Sequence, residues 1–538
     1  MTLSNLSRSN RFILPFALFG LAMLAACGNG NGSVGSPNQN GFTNTTLSGT
    51  YVISMAGEDV NLGASTASYF AVVGTMTTDG KGNITGGTVD INDPDLGGTG
   101  VFTGQALSAS TYSVSQDGRG TGALVTPEGT LTIDFVLTTS SHGLITRFDT
   151  GGSGSGTIDL QSTATQANLT ALAFSVSGSD FSGGGLGEVG GFSLDVNGNI
   201  TTGVSDFNDN GSSAGLVALP LTGSVVLTSG TNGTATFITS SAFPTLTFDV
   251  WVIDPTHLKL IETDTSGTSL SGDAYAQQTS FTAGQLVYTL GGADSSGNPF
   301  VAGGYATTDV NGNLTSGIED YNDAGTTGSS SAVTGSCTTF AAGRCQLALT
   351  GFSNGAANNF TFAAYPSSGG VLLLEDDSLG FGEGAAYAQS ATAFGAAGYG
   401  FNLSGANQSG IANGEVDDIA QFNATTSATN NMTGVLDEND VTKPISDVAL
   451  TGTYTPDSPA TGRGGISATT TGTFVGGLTL EYYVVDSSTV LFIEGDTTQV
   501  ALGIFQAQSA SPGAARAGRA ISLPRPFVRA HALKKRAE

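Results

Sequence analysis

Thr245-Leu-Thr-Phe-Asp-Val-Trp-Val-Ile253, then Asp254-Pro-Thr256, then His257-Leu-Lys-Leu-Ile-Glu-Thr-Asp264: two alternating runs are separated by three turn-forming residues. Alternation with a period of two puts one face of each run toward a core, and a link this short returns the chain antiparallel. Six further runs flank this hairpin: Leu172–Ser177, Val189–Asp195, Ile200–Asp206, Leu219–Thr228, Thr234–Ser240 and Gly272–Gln278. Thr, Val, Ile, Phe and Tyr fill the runs, and Gly, Asn, Asp and Ser fill the gaps, as pleated sheet and tight turns require. No stretch combines a 3.6-residue period with helix caps. The reading is all-β: eight antiparallel strands in a meander, closed into a small barrel so that no edge is left exposed. A two-sheet β-sandwich is the alternative.

The unit repeats. Its ending recurs as Asp159-Leu-Gln161, Tyr275-Ala-Gln277, Tyr387-Ala-Gln389 and Gln506-Ala-Gln508. A late acid precedes each ending (Asp149, Asp264, Asp377, Asp496), and a mid-unit acid is matched as Asp90, Asp206, Asp320 and Asp417. In the first three units x-Asn-Asp follows the mid-unit acid. The turns Asp79-Gly-Lys-Gly-Asn83, Asp195-Val-Asn-Gly-Asn199 and Asp309-Val-Asn-Gly-Asn313 match as well. Four tandem β repeats follow, at 47–163, 169–280, 281–392 and 393–511. A period of this length is a domain and not a propeller blade or solenoid turn.

The 538 residues carry 16 Lys and Arg against 43 Asp and Glu, a net charge of −27, with 80 Gly and 15 Pro. The glycines show no three-residue period, which excludes collagen. Hydrophobic residues at 39% are too many for a disordered polyelectrolyte. The acidity argues against nucleic acid as a partner, because phosphate neutralisation needs clustered Lys and Arg. The charge is uneven: residues 28–511 hold 7 basic and 42 acidic side chains, whereas residues 512–538 hold 7 basic ones and Glu538. That tail reads as a disordered basic arm, able to touch anionic lipid, fold back on the acidic body or do neither.

Few residues carry chemistry. His142 and His257 each stand seven residues before a late acid, and the matching positions are Gly370 and Thr489, so they read as turn histidines. Cys337 and Cys345 would lie on one hairpin, and an exported chain meets oxidants, so they read as a structural disulfide; a two-Cys metal site would lack further ligands. Arg119, Arg344 and Arg463 recur in one hairpin turn, with Asn232 in the second unit. Recurrence of so scarce a residue suggests a fixed hydrogen-bonding partner, against an exposed turn charge of little value. The pairs Glu262/Asp264, Glu375/Asp377 and Glu494/Asp496 could serve glycoside hydrolysis, but no cleft of stacked Trp accompanies them and the first unit has Arg147 in place of the Glu. In a meander, alternate loops emerge at one end, where acids collect. Oxygen ligands for Ca²⁺ would be Asp206, Asn208, Asp209, Glu262 and Asp264 in the second unit, and Asp320, Asn322, Asp323, Glu375 and Asp377 in the third. Val217 stands where an EF-hand would close with Glu, and Asp-Asn-Gly runs are also ordinary turn formers. No other cofactor is expected.

Arg8 and Arg11 precede an apolar stretch, Phe12 to Ala26, that ends in Leu24-Ala-Ala-Cys27-Gly28. This stretch is too short to span a bilayer and resembles a bacterial lipoprotein signal with its lipobox. The resemblance implies cleavage before Cys27, a lipid on its sulfur, and a cell-envelope address; Gly28 in the next position favours the outer membrane. Residues 28–46 then form a flexible polar tether. The Leu47-Ser-Gly-Thr-Tyr51 opening and the eight-strand meander are similar to avidin-like and lipocalin-like barrels. The ligand-stacking tryptophans of the avidins are absent, the one Trp being Trp251, so biotin binding is not carried over. The expectation is a lipid-anchored repeat protein, not an enzyme, with a binding, adhesion or structural role. A barrel that holds one small ligand or Ca²⁺ is the alternative, and a carboxylate-pair hydrolase is the weakest reading.

Overall fold

The computed structural model describes residues 41–60, 67–96, 99–180, 184–209, 213–239, 245–265, 267–341, 343–353, 359–407, 414–426, 429–441, 443–473 and 476–510. Cys27, the tether's first part and the basic tail lie outside the described residues. The chain forms four tandem all-β barrels in chain order, each an antiparallel meander. The fourth is a closed ring of eight strands: Gly398–Asn407, Glu415–Ala424, Asn431–Asp440, Lys443–Pro456, Arg463–Thr470, Gly477–Val484, Thr489–Glu494 and Gln499–Ala507. The first closes because Ser48–Val60 pairs with both Ala67–Asp79 and Gly152–Leu160. The third closes through Pro299–Thr308 on Leu314–Asp323, and the second through a single bridge, Asn199 to Ser224.

One run of the sequence reading, Leu219–Thr228, is not one strand. It splits into Ser213–Pro220 and Thr222–Leu227, and the break recurs in the first and third barrels. At each break an apolar side chain, Leu107, Leu221 or Val333, turns into the core. Its amide bonds to the carbonyl of Gly87, Gly203 or Gly317. Burial of the side chain offsets the lost ladder bonds there. In the fourth barrel the corresponding strand, Lys443–Pro456, runs through unbroken.

The barrel interiors are filled. In the second, Phe174, Phe192, Phe237 and Phe248 pack with ring centroids 4.6–5.9 Å apart. In the fourth, Phe401 stacks on Phe492 at 4.8 Å, and Tyr399 and Phe505 close over them. Such packing leaves the side chains themselves as the occupant of the barrel. The Asp-x-x-Gly-Asn turns are held locally: Asp195 Oδ1 accepts the Asn197 and Asn199 amides, and its Oδ2 accepts the Asn199 side-chain amide at 2.9 Å. Asp79 and Asp309 repeat this set. The Cys337–Cys345 disulfide is formed, across the hairpin of Thr334–Ala341 and Arg344–Thr350.

Candidate functional site

The acid of each Asp-x-Asn-Asp motif sits on a β-bulge that turns it away from its own core. Its Oδ1 accepts a backbone amide from the next strand, that of Gly104, Ala218, Ser330 or Asp447, at 2.6–2.8 Å. All four donors have left-handed backbones, φ +52 to +63°, the geometry that a bulge of this kind imposes. The set of acids is therefore Asp90, Asp206, Asp320 and Asp437. The fourth mid-unit acid is not Asp417, as repeat spacing suggested, but Asp437 of Asp437-Glu-Asn439-Asp440, twenty residues later.

These acids leave their own barrel and enter the next. Asp206 of the second barrel takes a two-pronged bond from Arg344 of the third (2.7 and 2.6 Å) and the hydroxyl of Tyr365. Asp320 of the third takes the same from Arg463 of the fourth, both at 2.7 Å, with Tyr483. Asp437 of the fourth returns to Arg119 of the first at 3.4 Å. Asp90 of the first meets no arginine among the described residues; the indole N–H of Trp251 donates to it at 2.8 Å. The recurring arginines thus have the fixed partner that their recurrence suggested, and it lies in the preceding repeat.

The motif's Asn repeats the pattern. Asn92 donates to Glu262 O, Asn208 to Glu375 O and Gly380 O, and Asn322 to Glu494 O, Asp496 O and Gln499 O. Asn439 closes the circle on Arg147 O, Asp149 O and Gly152 O of the first barrel. So do the repeat-ending glutamines: Gln161 binds Thr231 O and Val252 O, Gln389 binds Thr461 O and Val484 O, and Gln508 binds Asp117 O and Leu137 O. The four barrels therefore form a closed cycle, first to second to third to fourth and back to first. An apolar cluster with members from all four, among them Val52, Val189, Tyr365 and Leu502, fills the region between them.

Where the barrels meet there is a chamber of about 100 Å³, walled by the first and last strands of the repeats. Its polar wall is built in pairs. Lys259 Nζ lies 2.8 Å from Asp273, whose same oxygen meets His257 Nε2 at 2.5 Å. Burial opposes the charge on Asp273, but Lys259 and His257 hold its carboxyl below the usual range. Outside the chamber's lining, His142 binds Asp159 at 2.7 Å, and despite burial the imidazole keeps that carboxyl low as well. Ser175 and Ser177 donate to Glu383 of the third barrel, Tyr69 of the first shares a hydrogen with Ser271 of the second, and Asn402 of the fourth donates to Ser155 of the first. The two histidines stand directly after the turn, as read, and each opens a buried strand and is satisfied by a buried Asp.

The candidate Ca²⁺ ligands do not come together as a set in either repeat, although Glu375 and Asp377 lie against each other. Asp206, Asn208, Asp320 and Asn322 are spent on the joints. Glu262 and Glu375 point into their own barrels; Glu262 accepts the Thr268 hydroxyl, and burial with Asp377 and Asp376 nearby pushes the Glu375 carboxyl well up. Asp264 and Asp377 accept the backbone amides of Thr247 and Thr361, both at 2.6 Å, as loop clasps. Asp209 and Asp323 end their strands; burial and Asp294 push Asp323 to about 7. Among the described residues no three His, Cys, Asp or Glu side chains are placed to hold a metal ion. No helix there is long and apolar enough to cross a membrane.

No family model and no curated protein matches this chain. Among solved structures it is similar to transferrin binding protein B from Haemophilus parasuis Hp5 (a Trp-176-Ala mutant). The identity is 11% and the TM-score 0.18, over 73% of this chain and 83% of that one. It is similar to isotype 1 of the same protein from serogroup B Neisseria meningitidis, at 11% identity and TM-score 0.18, over 68% and 84%. At that score the overall arrangements differ, and nothing is transferred from them.

Proposed function

We propose that this protein is a lipid-anchored cell-envelope platform, held through Cys27, whose four barrels act as one rigid body with a binding or structural role and no catalytic step. The closed cycle of joints carries this reading. Independent beads on a string would need no buried bond to the docking Asp of each repeat, from arginine at three joints and from Trp251 at the other, and none from the fourth back to the first. The experiment is fractionation of cells that express wild type and Cys27→Ser. The wild type sediments with membranes, and the variant is released while keeping its melting temperature. A Cys27→Ser protein that stays membrane-bound overturns the anchor. A wild type that proteases cut into separately stable single barrels overturns the rigid body.

A second reading rests on the chamber. With the barrel interiors filled, a small ligand finds room between barrels, among the Lys259–Asp273 pair, Glu383 and the serine hydroxyls. About 100 Å³ suits a molecule of a few heavy atoms that both donates and accepts hydrogen bonds. Calorimetric titration with glycerol, glycine and acetate tests it, with Ser271→Phe as the filled-chamber control. Binding heat from at least one probe that Ser271→Phe abolishes supports the reading; no heat from any probe, or heat that the filled chamber retains, removes it.

A further inference from the structure

Three of the four joints share one electrostatic plan. The docking Asp and a second acid beside it flank one arginine. Arg344 meets Asp206 at 2.6 Å and Asp376 at 3.2 Å; Arg463 meets Asp320 at 2.7 Å and Glu481 at 2.9 Å. Arg119 lies between Asp437 and Asp117, with Asp134 in its field. The second acid of two joints, Asp134 and Glu481, stands two residues before the strand position opposite the arginine. In the second barrel that acid is Asp249, and it is present. The arginine is not: its place is held by Asn232, opposite Trp251. Asn232 turns to its own loop, where its Oδ1 accepts the Thr228 and Ser229 hydroxyls.

The register that sets Asn232 opposite Trp251 and the indole bond of Trp251 to Asp90 place the Asp249 carboxyl beside Asp90, with no guanidinium of the described residues between them. Two ionised carboxylates this close repel, and a single proton on the pair turns that repulsion into a hydrogen bond. Burial, then the charge of Asp90 and the bond to it, pushes Asp249 up to about 6. The other ionisable groups on the elements packed there are His257, Lys259 and Glu262 on the neighbouring strand, Asp254 at the end of the Asp249 strand, and Tyr51, Glu58, Asp59, Tyr69, Asp79 and Asp93 in the first barrel. Lys259 and His257 are both bonded to Asp273, so neither side chain takes the arginine's place.

We infer that a shared proton between Asp249 and Asp90 does at the first joint what arginine does at the other three, so that the ring has one acid-locked seam that loosens when the proton leaves. The seam is reversible, since the other joints keep the barrels together.

Trp251 is the chain's single tryptophan, 6% exposed, and its indole is bonded in this seam, so its emission reports the joint alone. The experiment is the emission maximum of the full chain from pH 4.5 to 8, for wild type, Asn232→Arg and Asp249→Asn. The wild type should shift to longer wavelength through a single transition and return on reacidification. Asn232→Arg supplies the cation, and Asp249→Asn supplies an amide donor that needs no proton. Both should stay at the short-wavelength position throughout. A wild-type maximum that does not move over this range overturns the inference, as does a transition unchanged in both variants. Should Asn232→Arg misfold, the Asp249→Asn profile alone decides.

Discussion

Replacing Asp320 by Ala tests whether the joints carry the ring's stability. Asp320 is 1% exposed and accepts from both nitrogens of the Arg463 fork, from Tyr483 and from the Ser330 amide. Its removal strands a guanidinium whose remaining partners, Asp457 and Glu481, are partly exposed at 35% and 26% of side-chain surface. Breaking a buried pair from one side costs about 3–5 kcal/mol, and the orphaned Ser330 amide adds about 1–3 kcal/mol where water cannot reach it. The comparison is Asp447→Ala, which removes the 2.9 Å partner of Arg119 but from a side chain 75% exposed, worth about 0–1 kcal/mol. Guanidinium melts followed by far-UV circular dichroism give both values. The double variant Asp320→Leu/Arg463→Met should recover most of the loss, because desolvation of the pair offsets much of its attraction. Equal costs for Asp320→Ala and Asp447→Ala, or a loss below about 1 kcal/mol for the former, would refute the idea that buried joints hold the ring.

Three further outcomes are expected. Burial pushes Glu188 from 4.5 to about 8 and Glu319 from 4.5 to about 9, so the folded chain holds protons that the unfolded chain has released. Their contribution is full below pH 4.5 and is lost as pH rises through 8 to 9; the denaturation midpoint should fall steadily between pH 5 and 9, and Glu188→Gln with Glu319→Gln should flatten that slope. Cys337→Ser opens a loop of sequence separation 8, and chain entropy sets its cost at about 2–3 kcal/mol, read as the difference between oxidised wild type and variant in the same melts. Gln508→Ala removes two bonds to the first barrel, at Asp117 O and Leu137 O, and should expose the fourth-to-first joint to protease before any other; uniform cleavage at all joints would contradict the closure.

The single repeat was legible because its signals are local. Alternation, the Asp-x-x-Gly-Asn turns and the cysteine pair act within a few residues, and each is present as the sequence implied. The strand break at Leu221 was not, since the alternation runs on through Leu219–Thr228 and only Pro220 marks the place; the break is set by core room for one side chain and by the Gly203 carbonyl, which accepts the Leu221 amide. Asp417 is not the counterpart of Asp90, because the fourth unit does not keep the spacing of the first three; Asp437-Glu-Asn439-Asp440 carries the full Asp-x-Asn-Asp signature in the sequence. Asp417 serves another purpose, taking the Ser153 and Ser155 hydroxyls of the first barrel at 2.6 and 2.5 Å.

The ring itself could not be read from any one repeat, because each joint divides its chemistry between two. Asp206 is an unexplained acid in the second repeat and Arg344 an unexplained base in the third; only together are they a bond. Two of the glycines follow from the same architecture. A Cβ on Gly303 would come within 2.6 Å of the Tyr483 ring, and one on Gly191 within 3.2 Å of Tyr365. In both places a barrel wall is thinned so that the tyrosine of the next barrel can reach the docking Asp. A side chain at Gly303 should therefore damage the same joint as loss of Asp320, without touching a charge. Gly303→Val is expected to lower the guanidinium midpoint as Asp320→Ala does. In an Asp320→Ala background the second substitution should cost much less than its value alone, since the contact it spoils is already gone. Full additivity in that double-mutant cycle would mean that the glycine serves its own barrel and not the joint.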